Sequence, residues 1–162
     1  MEQYEERQED LFTNMEPVLV QADAGKRLVN YIVDQVAFIA FAAMLGLVAG
    51  VAGGDAAIEF VKRIEANFIL NYLTSQLLYA FFMGSQEALF RGKTFGKMIT
   101  GTRAVSRDGA PLSTDQAFTR GICRAIPLNT LSALFSTPPL PWHDQLSRTV
   151  VIDEKASHFP GS

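Results

Sequence analysis

The sequence predicts a mainly α-helical integral membrane protein. It has two full transmembrane helices, a short proline-broken re-entrant or interfacial hydrophobic segment, and a small cytoplasmic two-stranded β element. Three observations carry this. Val36 to Gly54 holds 19 consecutive uncharged residues and Asn67 to Gln86 holds 20; at about 1.5 Å per helical residue, each can span a hydrocarbon core of about 30 Å. Basic residues crowd the middle of the chain, as positive-inside asymmetry requires. Two short β-branched runs, ITGTRAV (from Ile99) and TVVI (from Thr149), read as strands. The overall hydrophobic fraction of 48% would suit a soluble protein, but polar tails dilute the apolar runs. The length of 162 residues is enough for one domain.

The elements follow in order. Residues 1–24 form an acidic polar tail, with seven acids against Arg7 alone up to residue 23. That is unlike a secretory signal peptide, which starts basic. A membrane domain then covers 25–155. Gly25, Lys26 and Arg27 make a basic collar before a first span at about 28–50. Ala42, Gly46, Gly50 and Gly54 recur every four residues along it, a small-residue ridge of the kind that lets helices approach closely in lipid. The ridge is expected to pack on the second span, with a homo-oligomer contact as the alternative. GGDAAIEFVKRIEAN, from Gly53, reads as a loop with a helical turn or two.

The second span, about 66–88, carries Asn67, Asn71 and Ser75 on one stripe and Gln76, Tyr79, Met83 and Gln86 or Glu87 near another. Such amides serve as hydrogen-bonding glue between helices; a wet path for a small polar solute or ion is the alternative. A cytoplasmic basic segment, 91–126, follows. Within it ITGTRAV is the strand, RDGAP the turn, and TDQAFTRGICRAI an amphipathic helix capped by Ser113 or Thr114. The hydrophobic segment 128–142 is too short for two crossings and is broken by Pro138, Pro139 and Pro141. Residues 156–162 form a C-terminal tail.

Between Arg91 and Arg124 there are seven bases and two acids, which puts this segment in the cytoplasm and, after two spans, the N-terminus with it. GKTFGK invites a nucleotide-binding reading, but the glycine a P-loop needs falls on Glu87. No GxSxG, HExxH, paired CxxC or dinucleotide fingerprint is present, so no enzymatic activity and no cofactor is expected. One cysteine, Cys123, excludes an intramolecular disulfide, and with two histidines no metal site is expected.

Asp34 interrupts the first apolar run. A carboxylate deep in lipid costs about 2.5–3.5 kcal/mol even on lenient scales, so it must face protein or water. Arg27 lies two helical turns away, about 10.5 Å along the axis, too far for direct contact. A partner is expected among Glu87, Arg91, Arg120, Arg124 and Asp144, best a cation from the middle segment. With Arg27 and Asp34, these five form a candidate charge network.

The segments GKRLVNYIVD, EALFRGKTFGKMITGTRAVSRDGAPLS, AFTRGICR and HDQLSRTVV, in this order and spacing across roughly residues 20–153, resemble the RDD family of small bacterial and archaeal membrane proteins. On that resemblance Arg27, Asp34 and Asp144 are the name-giving arginine and two aspartates. It implies a multi-pass protein of the bacterial cytoplasmic membrane, moving ions or small solutes as an oligomer, with cation/proton exchange the suggested chemistry. The alternative is a membrane-anchored scaffold or accessory subunit whose charges form a structural salt-bridge network. The expected partners are the lipid bilayer and a second copy or a membrane protein; no nucleic acid is expected. This chain departs from the family in its shorter region before the HD motif. One geometry follows. If the two strands pair, His143 and Asp144 return to the face where Arg27 stands, and 128–142 is not a single crossing.

Overall fold

The computed structural model describes residues 17–126 and 141–158. The N-terminal tail up to residue 16, most of the short hydrophobic segment (residues 127–140), and the last four residues lie outside the described residues. The fold is mainly helical, with one long apolar helix and a small two-stranded antiparallel sheet. In order, α1 is Ala24–Ala66, α2 Phe68–Leu89, α3 Phe95–Thr100, β1 Thr102–Ser106, α4 Thr114–Arg124, α5 Trp142–Leu146 and β2 Thr149–Asp153.

Helix α1 starts where Asp23 accepts a hydrogen bond from the Lys26 amide, an N-cap. It runs for 43 residues. The expected loop after Gly53 is instead helical, but it is a second helical segment: Gly54, at φ +57° and ψ −151°, leaves the helical conformation and joins two helices across a kink. Glycine adopts such angles without a Cβ penalty, and the chain changes direction there. Beyond the kink the helix mixes charged and apolar residues, with Glu59 and Arg63 one turn apart. Asn67 then caps α2 through the Leu70 amide. Among the described residues α1 alone is both long and apolar enough to cross a membrane. Helix α2, at 22 residues, has the length, but its amides and hydroxyls lower its apolarity. The two helices meet through aromatics: Phe38 stands edge-on to Tyr79 at 5.1 Å, and Phe41 stacks on Phe82 at 4.8 Å.

The strand expected at ITGTRAV starts later, at Thr102. Ile99 and Thr100 end α3, which stops at Gly101 in the left-handed region (φ +67°). Strand β1 pairs antiparallel with β2, with Ala104 opposite Val151. The chain before α1 lies along the other edge of β2: the Ala22 amide donates to the Val151 carbonyl and the Asp153 amide to Val20. A two-stranded element is marginal alone; this third segment and the helices complete it. Helix α4 carries a full capping box between Ser113 and Gln116. It crosses α2 where Gly121 faces the Ala80 carbonyl so closely that a Cβ would sit 2.4 Å from it.

The burial pattern is inverted relative to a soluble domain. Apart from Met83 and Ile152, the largest fully buried side chains are polar or charged: Arg120, Lys97, Glu87, Thr94, Thr102, Thr149 and Asp144. The outward side chains are apolar, with Phe68 83%, Val51 80%, Leu89 76% and Ile99 70% exposed. Short α3 shows the inversion within six residues: Phe95, Met98 and Ile99 face out while Gly96 and Lys97 are buried.

Candidate functional site

The polar interior lies where the lower ends of α1 and α2 meet α3, α4, α5 and β2. Its centre is Arg120, fully buried on α4. Arg120 Nε donates to Glu87 Oε2 at 2.7 Å; Nη1 donates to Asp144 Oδ1 at 2.5 Å and also to the Thr149 hydroxyl. Glu87, on the last turn of α2, is the second hub. Its Oε1 accepts from Lys97 Nζ at 2.5 Å and from Arg124 Nη2 at 2.7 Å. Asp144 is the third: its Oδ2 accepts from Arg27 Nη1 at 2.9 Å. Arg27 also donates to the Ala22 and Val151 carbonyls, tying α1 to the sheet. One chain of ion pairs thus runs from α1 through α5 and α4 to α2 and α3.

The strand pairing brings Asp144 back to Arg27, which is the geometry expected from the sequence. The network joins Arg27, Glu87, Arg120, Arg124 and Asp144. Arg91 is exposed, at a φ of +50°, and makes no ion pair among the described residues. Lys97, not expected in the network, is fully buried in it. The sequence held a signal: on α3, Lys97 lies away from Phe95, Met98 and Ile99, so if those face lipid, Lys97 faces in.

Asp34 is the main departure. The expected cation does not meet it. Its Oδ1 accepts from the Gly96 amide at 2.8 Å and its Oδ2 from the Thr94 hydroxyl at 2.7 Å, and among the described residues it forms no ion pair. Asp34 caps α3. Three side chains share that work: Gln86 accepts from the Phe95 amide, Asp34 from Gly96 and Thr94 from Lys97. These are the amides a helix start leaves without intrahelical acceptors. The approach is close. A Cβ on Gly96 would stand 2.4 Å from the Asn30 carbonyl oxygen. Buried Asn30 completes the contact, its side-chain amide lying within hydrogen-bond reach of the Thr100 and Thr102 hydroxyls; with its nitrogen and oxygen exchanged, the nitrogen also donates to the Lys26 and Gly96 carbonyls.

GKTFGK therefore has a structural job at every polar position. Gly92, at φ +90°, touches the Ala104 carbonyl, where a Cβ would fall at 2.1 Å. Lys93 pairs with Glu154 at 2.7 Å, Thr94 caps, Gly96 makes the crossing and Lys97 joins the network. At its three glycines the small-residue ridge does not meet α2. A Cβ on Gly46 or Gly54 would have nothing within 4 Å, and one on Gly50 only the Ile58 side chain. The second-span polar side chains act partly as glue: Gln76 donates to the Ala125 carbonyl at 2.6 Å.

The electrostatics follow from burial and pairing. Burial lowers Lys97, Glu87 opposes this, and Arg120 and Arg124 add to it, bringing it to about 7. Burial would raise Asp144, but Arg120 foremost holds it well below the usual carboxylate range. His143 is pushed well below its ordinary value, first by burial, so it is neutral at pH 7. Its Nε2 is 3.4 Å from Asp144 Oδ1. Among the described residues no group of acids, histidines and cysteine could hold a metal ion. Among the described residues three buried polar atoms lack a partner: Arg120 Nη2, Arg124 Nη1 and Gln35 Oε1.

The sequence model described as RDD family matches residues 21–142. No curated protein and no solved structure matches.

Proposed function

The chain belongs to the RDD family, and on that premise we propose that it is a small integral membrane protein whose ion network is an architectural clamp. In this reading α1 and α2 lie in the bilayer, and the basic cap built from α3, α4, α5 and the sheet is locked beneath them on the cytoplasmic side. The observation that carries it is the inverted burial. No residue of the most apolar 18-residue window of α1 is buried. Exposed apolar faces this long are untenable for a water-soluble monomer and suited to lipid. The carboxylates support the clamp rather than an ion path, because Glu87, Asp144 and Asp34 already hold fixed donors. Alkaline carbonate washing of membranes tests the first half: the chain stays in the pellet, and its release into the supernatant would refute membrane integration.

The second reading is transport of ions or small solutes by an oligomer, with cation/proton exchange as the suggested chemistry. The open ridge at Gly46 favours it, since two helices cannot enclose a pathway and an assembly needs a close-approach surface. Flux into proteoliposomes carrying wild type or Asp34→Asn separates the readings. A flux lost in the variant, with its fold intact, supports transport through Asp34; no flux in either supports the clamp.

A further inference from the structure

The network carries more positive charge than its carboxylates can balance. Among the described residues Arg27, Arg120 and Arg124 face Glu87 and Asp144, three permanently charged guanidiniums against two carboxylates, with Lys97 beside them held at about 7. The surplus is local to α4. Arg120 and Arg124 lie one turn apart on the same face and both anchor on Glu87, through Oε2 and Oε1 respectively. Each retains one buried guanidinium nitrogen, Nη2 of Arg120 and Nη1 of Arg124, with no acceptor among the described residues. Arg120 is completely buried and the Arg124 side chain is 12% exposed. A buried charged donor left without an acceptor is costly, and native interiors supply a partner for nearly all such groups.

We propose that these two nitrogens form a binding site for a small inorganic monoanion of chloride size, reached from the edge where Arg124 is exposed. With Lys97 neutral, a single negative charge balances the three guanidiniums against Glu87 and Asp144. Guanidinium donors suit such a ligand, because they are permanently charged and weakly hydrated. Lys97 is depressed first by burial, and Arg120 and Arg124 add to that; a bound anion offsets the part they add. The site does not rest on transport, and it operates equally in a clamp.

The test uses the full chain purified in detergent. Chloride-35 line broadening is measured as sodium gluconate is exchanged for sodium chloride at constant ionic strength. The expected result is excess broadening over empty micelles that bromide competes away and that Arg124→Gln abolishes, while Lys62→Gln, at an exposed position beyond the kink, retains it. Wild-type melting should rise in parallel, by about 3–6 °C at tenfold saturation. Absence of excess broadening in the wild type overturns the proposal, leaving the two donors to water. So does equal broadening in Arg124→Gln. If that variant does not fold, the wild-type melt decides: a saturable chloride-dependent rise supports the site and a flat response sinks it.

Discussion

Replacing Glu87 by glutamine tests the clamp at its most loaded point. Three cations converge on this carboxylate, Lys97 at 2.5 Å and Arg120 and Arg124 at 2.7 Å each, and the group is completely buried. Glutamine keeps the shape but offers one neutral acceptor, and turns an NH2 group toward a donor. Removing one partner of a buried ion pair costs about 3–5 kcal/mol, because the other charge stays buried without compensation. Arg124 loses its ion-pair partner among the described residues, while Arg120 keeps Asp144 and Lys97 can shed its proton, so the loss falls within that range. For a chain of this size about 2–4 °C accompanies each kcal/mol, so the melting temperature in detergent should fall by about 6–20 °C. Asp153→Asn is the control. Its pair with Lys26 is partly exposed, and losing it should cost less than about 1 kcal/mol. Adding Lys97→Met to Glu87→Gln should recover part of the loss, since it removes one uncompensated buried charge. A Glu87→Gln melt within about 2 °C of wild type, or no lower than that of Asp153→Asn, would refute the reasoning.

Other substitutions probe separate links. Gly96→Ala must push α3 off α1, because its Cβ meets the Asn30 carbonyl at 2.4 Å; a loss of about 1–3 kcal/mol is expected in denaturant melts, and an unchanged midpoint would contradict the close crossing. Asp34→Ala strands the Gly96 amide and the Thr94 hydroxyl and should cost about 2–5 kcal/mol, while Asp34→Asn, which keeps one acceptor, should cost less. Lys97 gives a pH signature. Its folded value of about 7 lies below its unfolded value of 10.5, so between these the unfolded chain binds more protons, and wild-type stability should rise with pH relative to Lys97→Met; parallel profiles would contradict this. His143, also depressed, acts lower down: stability should decline as pH falls below about 6.5, and His143→Gln should flatten that decline.

The sequence made the long helices legible, because uncharged runs of bilayer length are a local property. It also made the capped helix at Ser113 and the two strands legible, since β-branched runs and a turn leave residue-level marks. From the strand pairing came the return of Asp144 to Arg27. What stayed hidden depended on backbone atoms and on close approach. Asp34 was expected to meet a cation, as buried carboxylates commonly do; its partners are an amide and a hydroxyl, and an amide leaves no trace in side-chain spacing. Gly53 and Gly54 suggest a break, and Gly54 does leave the helical conformation, but the residues after it form a second helical segment rather than a loop. Arg91 and Lys97 sit in the same basic, glycine-punctuated segment, and charge counting could not say which turns inward. The orientation of α3 decides that, and it is set by the Gly96–Asn30 crossing.

The central claim is that α1 crosses lipid while the paired strands and their turn stand together on the cytoplasmic face. Single cysteines at Leu47, Asp108 and Lys155, each in a Cys123→Ala background, test it in right-side-out and inverted membrane vesicles with a membrane-impermeant maleimide. The account predicts that Asp108→Cys and Lys155→Cys are labelled only in inverted vesicles, and that Leu47→Cys is protected in both. Labelling of Asp108→Cys and Lys155→Cys from opposite sides, or ready labelling of Leu47→Cys in intact vesicles, would contradict it.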